Sequence, residues 1–541
     1  MSQVETESLP ASYAETASAI EVVASGKKTQ PGWSYACLIL AGLLLVVSNG
    51  RWIVPAAAWI SPVLLLRFMR TQPALRAILL ADLVMTSAAL VSWQGMVPVP
   101  GFLYVVVVGL TAQAMLVPFV VDRLLFSRFH GLVRTLILPT AWVGVEYVNS
   151  VWNPYGTWGS AAYTQFGNLP LVQVVCVTGL FGISFLIGWF AAVVNHAWEN
   201  EFAWSRVRVI AILFAAVLAL VLLAGGARLA FFPPAVPTVR VASISATEAL
   251  REKVDLDWIA KELNISLKES IPDALWNELD KNSVPLQDYL AARTRREAAA
   301  GARIVFWPEA HVVLTKESEP RLLELGRQIA RSEGIYLGIG MAVARRHPTE
   351  LKAENRFVLL DPQGNTSFDY TKQNPVPGGE AACSIIAEHD YCLPTTATPY
   401  GRIATAICFD MDFPSFVRQA GVARADILLD PSGDWRAIDP LHTHMACIRA
   451  VELGCSVVRH TAGGLSEAVD YQGRPLASMD HYTAPVNERV MVAQVPIAGV
   501  PTVYARIGDL FTWMCLAFLL ALTGVRLIGR SHAASLYVPP P

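Results

Sequence analysis

The sequence predicts two unlike parts: a polytopic α-helical membrane domain of about eight spans, and an α/β layered domain of about 260 residues before the last span. Three observations predict this. Hydrophobic residues make up 53% of the chain and charged residues 16%, with a mean hydropathy of +0.41, a balance typical of polytopic membrane proteins. The apolar runs are concentrated between Ser34 and Phe232. Beyond Phe232, charge and turn residues return, and strand-like and helix-like segments alternate. At 541 residues the chain also exceeds one ordinary domain.

The first thirty residues are polar and lack the basic-then-apolar order of a signal peptide, so residues 1–30 are expected to be a disordered cytoplasmic tail. Apolar runs then predict a membrane domain over 34–232, with seven spans near 34–49, 52–66, 76–93, 102–121, 132–150, 170–195 and 208–230. An eighth falls near 508–529, followed by a cytoplasmic tail 530–541. A span needs about 20 apolar residues, about 17 at the short end, so the first two are short. Basic residues set the orientation. Lys27, Lys28, Arg67, Arg70, Arg76, Arg123, Arg128, Arg134, Arg206, Arg208, Arg526 and Arg530 all fall on alternate sides of the spans, while Gln94–Gly101 has none. The alternation puts both termini in the cytoplasm and residues 233–507 on the far side of the membrane.

Phe232-Pro-Pro-Ala-Val-Pro237 reads as a stiff linker into a domain over 238–500. There, Val239–Ser245, Arg303–Trp307, Ile335–Met341, Ile403–Ile407, Ile427–Asp430 and Ser456–His460 read as strands. Leu286–Ala300, Leu322–Ser332 and His442–Leu453 read as helices. Arg356–Leu360 and Ser367–Thr371 flank a turn at Asp361–Asn365, and Leu465–Val469 leads into a Gln472-Gly473 turn. A net charge of −2 without a basic tract gives no sign of nucleic acid. Eight cysteines without a C-x-x-C pair argue against a disulfide scaffold or a structural zinc site.

Three positions at strand ends carry chemistry. Ile304-Val-Phe-Trp-Pro-Glu309 delivers a carboxylate, Tyr370-Thr-Lys372 an amine, and Ala404-Thr-Ala-Ile-Cys408 a thiol, with a helix expected from Pro414. Alone, each has a plainer reading: a solvated loop Glu, a surface Lys, a buried core Cys. Together they could converge on one pocket, where a thiol at a strand-to-helix turn can be activated by backbone N–H groups and a neighbouring base.

The order W-P-E, Y-x-K, I-C-F-D and Asp430-Pro-Ser-Gly-Asp-Trp435 resembles the carbon–nitrogen hydrolase (nitrilase) superfamily. The resemblance implies an α-β-β-α sandwich with a Glu-Lys-Cys triad. Eight spans around such a domain resemble its apolipoprotein N-acyltransferase branch, as do Glu146-Tyr147, Gly156-Thr-Trp158 and Gly179-Leu-Phe-Gly-Ile-Ser-Phe185. The resemblance implies Cys408 as nucleophile, Glu309 as general base and Lys372 as the cation that orients the pair. It implies the Phe409 N–H in an oxyanion site and Glu380 as a second acidic residue beside the triad. It places Asp410, Asp434, Trp435 and Trp158 near substrate. The implied reaction is ping-pong: Cys408 takes an acyl chain from a phospholipid as a thioester, and the amine of a diacylglyceryl-cysteine lipoprotein receives it. The implied setting is a bacterial inner membrane, with the catalytic domain periplasmic and with no cofactor and no metal; nothing in the sequence demands an oligomer, so a monomer is expected aside from the lipid and lipoprotein partners.

This sequence departs from the branch in three places. Phe409-Asp410 stand where Tyr-Glu is usual, Val241-Ala-Ser-Ile-Ser-Ala246 replaces a Val-Gln-x-Asn type motif, and Gly433-Asp434-Trp435 replaces Asn-Asp-x-Trp. Gly379–Thr398 lacks a clear period and is expected to form a lid, in which Cys383 and Cys392 could pair in an oxidising compartment. His442 and His444 lie two apart on a helix, face different ways and are read as structural or surface residues. His311 could face the pocket, but one His makes no metal site. Arg449 and Glu452 read as a structural ion pair, and Trp152–Trp158 as an interfacial aromatic belt. Two rival functions share the features: a membrane-tethered amidase or nitrilase using water as acceptor, and a non-catalytic membrane scaffold. Activity in a severed 238–500 domain would favour the first; full function of Cys408→Ala would favour the second.

Overall fold

The structure is a computed structural model that describes residues 31–263, 271–386, 391–486 and 489–535. The expected tail 1–30 lies outside the described residues, as do 536–541 of the expected tail 530–541 and 387–390 of the expected lid.

Four helices are long and apolar enough to cross a membrane: Ala74–Ser92, Gly101–Leu125, Phe181–Glu199 and Trp204–Phe231. Their outward apolar residues, such as Leu79, Leu83, Leu220 and Leu223, are exposed, which suits a lipid-facing surface. Pro55–Thr71 and Gly131–Trp152 pack among them, beside shorter apolar helices Gly32–Val46 and Leu510–Val525. Two details differ from the sequence reading. Arg70, expected in a loop, sits in the last turn of Pro55–Thr71, where Asp122 binds its guanidinium at 2.7 and 2.8 Å. Glu199 bridges Arg70 at 3.2 Å and Arg134 at 2.9 Å. A buried charge needs such partners, and they let the helix run past its apolar stretch. The apolar run 170–195 is also no single helix. Leu169–Val172 and Val175–Thr178 are short turns, and Gly179, at φ +66°, breaks the chain before Phe181–Glu199 begins.

The remainder builds two sheets. The first contains β1 (Thr238–Ile244), β2 (Ile304–Phe306), β3 (Val312–Thr315), β4 (Tyr336–Arg345), β5 (Lys352–Leu360), β6 (Thr366–Thr371) and β13 (Val490–Pro496), in the order β13-β1-β2-β4-β5-β6 with β3 beside β4. The second contains β7 (Thr395–Thr398), β8 (Gly401–Thr405), β9 (Ile427–Ser432), β10 (Ser456–Thr461), β11 (Leu465–Val469) and β12 (Pro475–Asp480), ordered β12-β11-β10-β9-β8-β7. Alternation along each strand supplies two apolar faces. Val241, Ile304, Phe306, Phe357 and Leu359 of the first sheet meet Ile403, Ile427, Leu429 and Val457 of the second in one core. The opposite face of the first sheet, with Ala242, Val305, Leu337 and Ile339, is covered by helices Asp273–Ala299 and Glu319–Glu333. Helices Pro414–Val422 and Leu441–Leu453 cover the second sheet, giving the four layers α-β-β-α.

Leu441–Leu453 joins the two parts of the molecule. Ala446, Ala450 and Leu453 pack on the second sheet, while Leu441, Met445, Ile448 and Val451 pack on Tyr163, Leu171, Val175 and Ile183 of the membrane part. Strands β3, β7 and β13 have no counterpart in the sequence reading. The helix expected from Leu286 begins at Asp273, because Pro285 lies inside it rather than before it.

Candidate active site

Parallel β8, β9 and β10 end on the same edge of their sheet, so the residues after them share one neighbourhood. Cys408 follows β8 through Ala406-Ile407; Glu309 follows β2 through Trp307-Pro308; Lys372 follows β6 directly. All three line one cavity of ≈570 Å³, with Asn355, Glu380 and Trp435.

Within it, Lys372 Nζ donates to Glu309 Oε1 at 2.8 Å and to both oxygens of Glu380 at 2.8 and 2.9 Å. Asn355 Nδ2 spans the same two carboxylates, at 2.7 Å to Glu309 and 3.1 Å to Glu380. Burial alone would lower the Lys372 pKa, but Glu309, Cys408 and Glu380 carry it well above the ordinary lysine value. Burial, then Glu309, pushes the Cys408 thiol well above its ordinary value, with Lys372 opposing. The resting group is therefore a neutral thiol beside a carboxylate, which suits attack coupled to proton removal.

Cys408 itself has φ +52°, a left-handed conformation that non-glycine residues adopt at a cost of about 1–3 kcal/mol. The surrounding bonds hold it there. Its N–H donates to Asp430 Oδ1 at 2.9 Å, and Asp430 is bound in turn by Ser432 and Arg459. The turn Cys408–Asp412 is a 3₁₀ helix, so the α-helix expected from Pro414 starts only after it. The Phe409 N–H follows the thiol directly and has no hydrogen-bond partner among the described residues.

Several expected substrate contacts are committed elsewhere. The buried Asp410 carboxylate accepts from the Tyr370 hydroxyl, the N–H groups of Ile407, Gln373 and Asn374, and Asn374 Nδ2. It braces the Cys408 turn against the segment after Lys372 and does not line the cavity. The Asp434 carboxylate, 1% exposed, is held by Arg459 and His442, so it does not reach the cavity either. Trp435 does line it, with Nε1 donating to Gly95 O of the membrane part at 2.8 Å. Trp158 lies in an adjoining apolar pocket with Phe409, Trp93, Met96 and Trp435.

Among the cysteines, Cys383 lines the cavity and Cys392 is exposed; neither is joined to the other, and all eight are free thiols. Over the described part of the expected lid, Gly379–Cys383 is helical and Thr395–Thr398 is β7. His311 Nε2 accepts the Ala246 N–H at 2.7 Å and does not line the cavity. Arg449 and Glu452 pair as expected, but Arg449 also reaches Met411 O, Thr157 and Tyr163. The sequence reading passed over Asn355, Asp412, Asp430 and Arg459. Arg459 had a visible signal, a charged residue directly after Val457-Val458 in the strand Ser456–His460.

The carbon-nitrogen hydrolase family matches residues 190–502, more than half of the chain, and the chain belongs to it. Residues 41–193 match the apolipoprotein N-acyltransferase N-terminal domain, which sets the chain in that branch of the family. It is similar to the apolipoprotein N-acyltransferase of Geobacter metallireducens, 26% identical over 524 residues, covering 90% of this chain and 94% of that protein. The corresponding protein of Gloeobacter violaceus is 27% identical over 539 residues, covering 91% and 95%. A solved amidase from Nesterenkonia sp. is 18% identical with a TM-score of 0.37, covering 50% of this chain and 92% of its own.

Proposed function

We propose that this enzyme transfers a fatty acyl chain from a phospholipid to the N-terminal amine of a diacylglyceryl-cysteine lipoprotein. The observation that carries this reading is the cavity shared by Glu309, Lys372 and Cys408, which borders a Trp-lined apolar pocket against the membrane part. Glu309 takes the proton from the Cys408 thiol as Sγ attacks an ester carbonyl of the phospholipid. The Phe409 N–H and the Lys372 ammonium stabilise the oxyanion. The C–O bond breaks, the lysophospholipid leaves with the proton from Glu309, and a Cys408 thioester remains. The lipoprotein amine then attacks the thioester, Glu309 receives its proton, and the thiolate leaves and is reprotonated, giving an amide and the free thiol. A site at the membrane surface avoids lifting acyl chains into water, which costs about 0.8 kcal/mol per CH₂.

The same proposal includes eight spans, a monomeric chain in a bacterial inner membrane, cytoplasmic termini and a periplasmic catalytic domain over 238–500. The alternation of basic residues along the sequence supports the orientation.

The test is intact-protein mass spectrometry in detergent after incubation with a phospholipid, for wild type and Cys408→Ala. The expected result is an added mass of one acyl chain, removable by hydroxylamine and absent in the variant. No adduct from any phospholipid, with Cys408 still reactive toward small electrophiles, would overturn the acyl-transfer reading in favour of an amidase.

A further inference from the structure

Cys408 has a second set of neighbours besides Glu309 and Lys372. Its Sγ, a carboxylate oxygen of Asp434 and a ring nitrogen of His442 all lie within 4.8 Å of one another. His442, set aside in the sequence as structural or surface, is buried there. Its Nδ1 donates to Asp434 Oδ1 at 2.7 Å and its Nε2 to Asp412 Oδ2 at 3.1 Å. Arg459 Nη2 converges on the same Asp434 oxygen at 2.9 Å, which brings it 2.9 Å from His442 Nδ1. A carboxylate at each ring nitrogen favours the doubly protonated ring, while the Arg459 N–H that also meets Nδ1 opposes it. Burial would lower the His442 pKa, but Asp412 and Asp434 outweigh burial and Arg459 and carry it up to about 9.

Asp412 is in turn gripped by the membrane part. Trp158 Nε1 donates to Asp412 Oδ2 at 2.9 Å, and the Thr157 N–H and hydroxyl donate to the Asp412 carbonyl at 3.0 and 2.8 Å. The Trp158 ring lies 5.4 Å from the His442 ring, centre to centre. A continuous series of contacts therefore runs from the loop Gly156–Trp158 through Asp412 and His442 to the thiol.

We propose that His442 is a positioning residue that offsets the charges of Asp412 and Asp434 beside Cys408, and that the loop Gly156–Trp158 tunes thiol reactivity by holding Asp412 against it. The inference rests on Cys408 as the nucleophile. Without the imidazolium, the Asp434 carboxylate beside the thiol and the Asp412 carboxylate at the other ring nitrogen lose a compensating charge, and the thiolate becomes harder to form. The other groups facing Cys408 are Glu309, Lys372, Arg459 and Asp430, and none is altered in the variants below. The arrangement also gives the membrane part a role in the chemistry: a catalytic domain undocked from it would lose the grip on Asp412.

The test is the pH dependence of Cys408 alkylation by iodoacetamide in the full chain in detergent, read by mass spectrometry of the Cys408 peptide. His442→Gln is expected to move the midpoint up by about one pH unit, the low end of what a charge at this range does. Trp158→Phe, which keeps the ring and loses the N–H, moves it up by less. Adding Asp412→Asn to His442→Gln removes one charge of each sign and brings the midpoint back toward wild type. His444→Gln, two residues along the same helix and stacked on Phe166 at 4.0 Å, controls for lost helix packing and leaves the midpoint in place. A midpoint unmoved in folded His442→Gln, or moved equally by His444→Gln, overturns the proposal. A Cys408 inert at every pH in the wild type would overturn the nucleophile reading, and this inference with it.

Discussion

The Tyr370 hydroxyl donates to Asp410 Oδ2 at 2.7 Å, tying the residue two before Lys372 to the residue two after Cys408. Burial holds the Asp410 carboxyl up at about 6, while the bonds from Tyr370 and Asn374 pull it down. A carboxyl raised above its unfolded value of about 3.9 favours folding below that value, and the contribution is lost as pH rises through the folded pKa. Tyr370→Phe removes a bond that lowers the pKa, so the loss grows. The variant is expected to match wild type closely at pH 4 and to be less stable by about 1–2 kcal/mol at pH 7. Denaturant unfolding at the two pH values checks this; equal destabilisation at both would contradict it.

Glu309 and Glu380 both bind the Lys372 amine, yet the proposed mechanism needs only Glu309 to move protons. Glu309→Gln should therefore slow thioester formation by about 10²–10⁴, the usual worth of a general base. Glu380→Gln keeps an acceptor for Lys372 and should cost clearly less. Rapid-quench mass spectrometry of the acyl-enzyme separates the two; equal losses would give both carboxylates the same standing.

The meeting of Glu309, Lys372 and Cys408 in one cavity was legible because each combines a reactive side chain with the end of a recognisable strand. Lys372 follows β6 and Cys408 follows β8 at the spacing that the alternating pattern gives. An α/β layered domain was legible for a similar reason, since strands and helices differ in period, whereas its four layers were what the family resemblance implied. What surrounds the triad was not legible. The bond from Thr157 to Asp412 crosses 255 residues of sequence, and no local pattern reports it. Asp410 and Asp434 looked like substrate contacts from their places beside Cys408 and in the Asp430–Trp435 motif. Their direction depends on a 3₁₀ turn and a buried Arg459, which alternation does not encode. Asn355 lies in β5, and nothing in its sequence neighbours marks it as the residue that spans two carboxylates.

Lys372 is the cation between two carboxylates and is itself buried. Replacing it by Met removes that charge and leaves Glu309 and Glu380 uncompensated, at a cost of about 3–5 kcal/mol. Adding Glu380→Gln removes one of the stranded charges and should restore part of the loss at neutral pH. Thermal unfolding of Lys372→Met and the double variant tests this; a double variant no more stable than the single would show that the cost lies in packing.

Gly156 stands at φ +57° with the Asp412 carbonyl where its side chain would go; a Cβ there would lie 2.6 Å from that oxygen. Gly131 has nearly the same φ, +60°, but a Cβ there would meet open space out to 4 Å among the described residues. The pair separates backbone strain from collision. Gly131→Ala should cost only the left-handed penalty, about 1–2 kcal/mol, and leave acyl transfer intact. Gly156→Ala carries the same penalty and must also displace Asp412, which loosens the Thr157 and Trp158 bonds. It is expected to lower acyl-transfer rate by at least about tenfold, since small misplacements near a reacting centre cost up to about 10². Thermal unfolding and initial rates measured on both variants decide the matter. Similar rates in the two would mean that Asp412 does not need its grip from the membrane part.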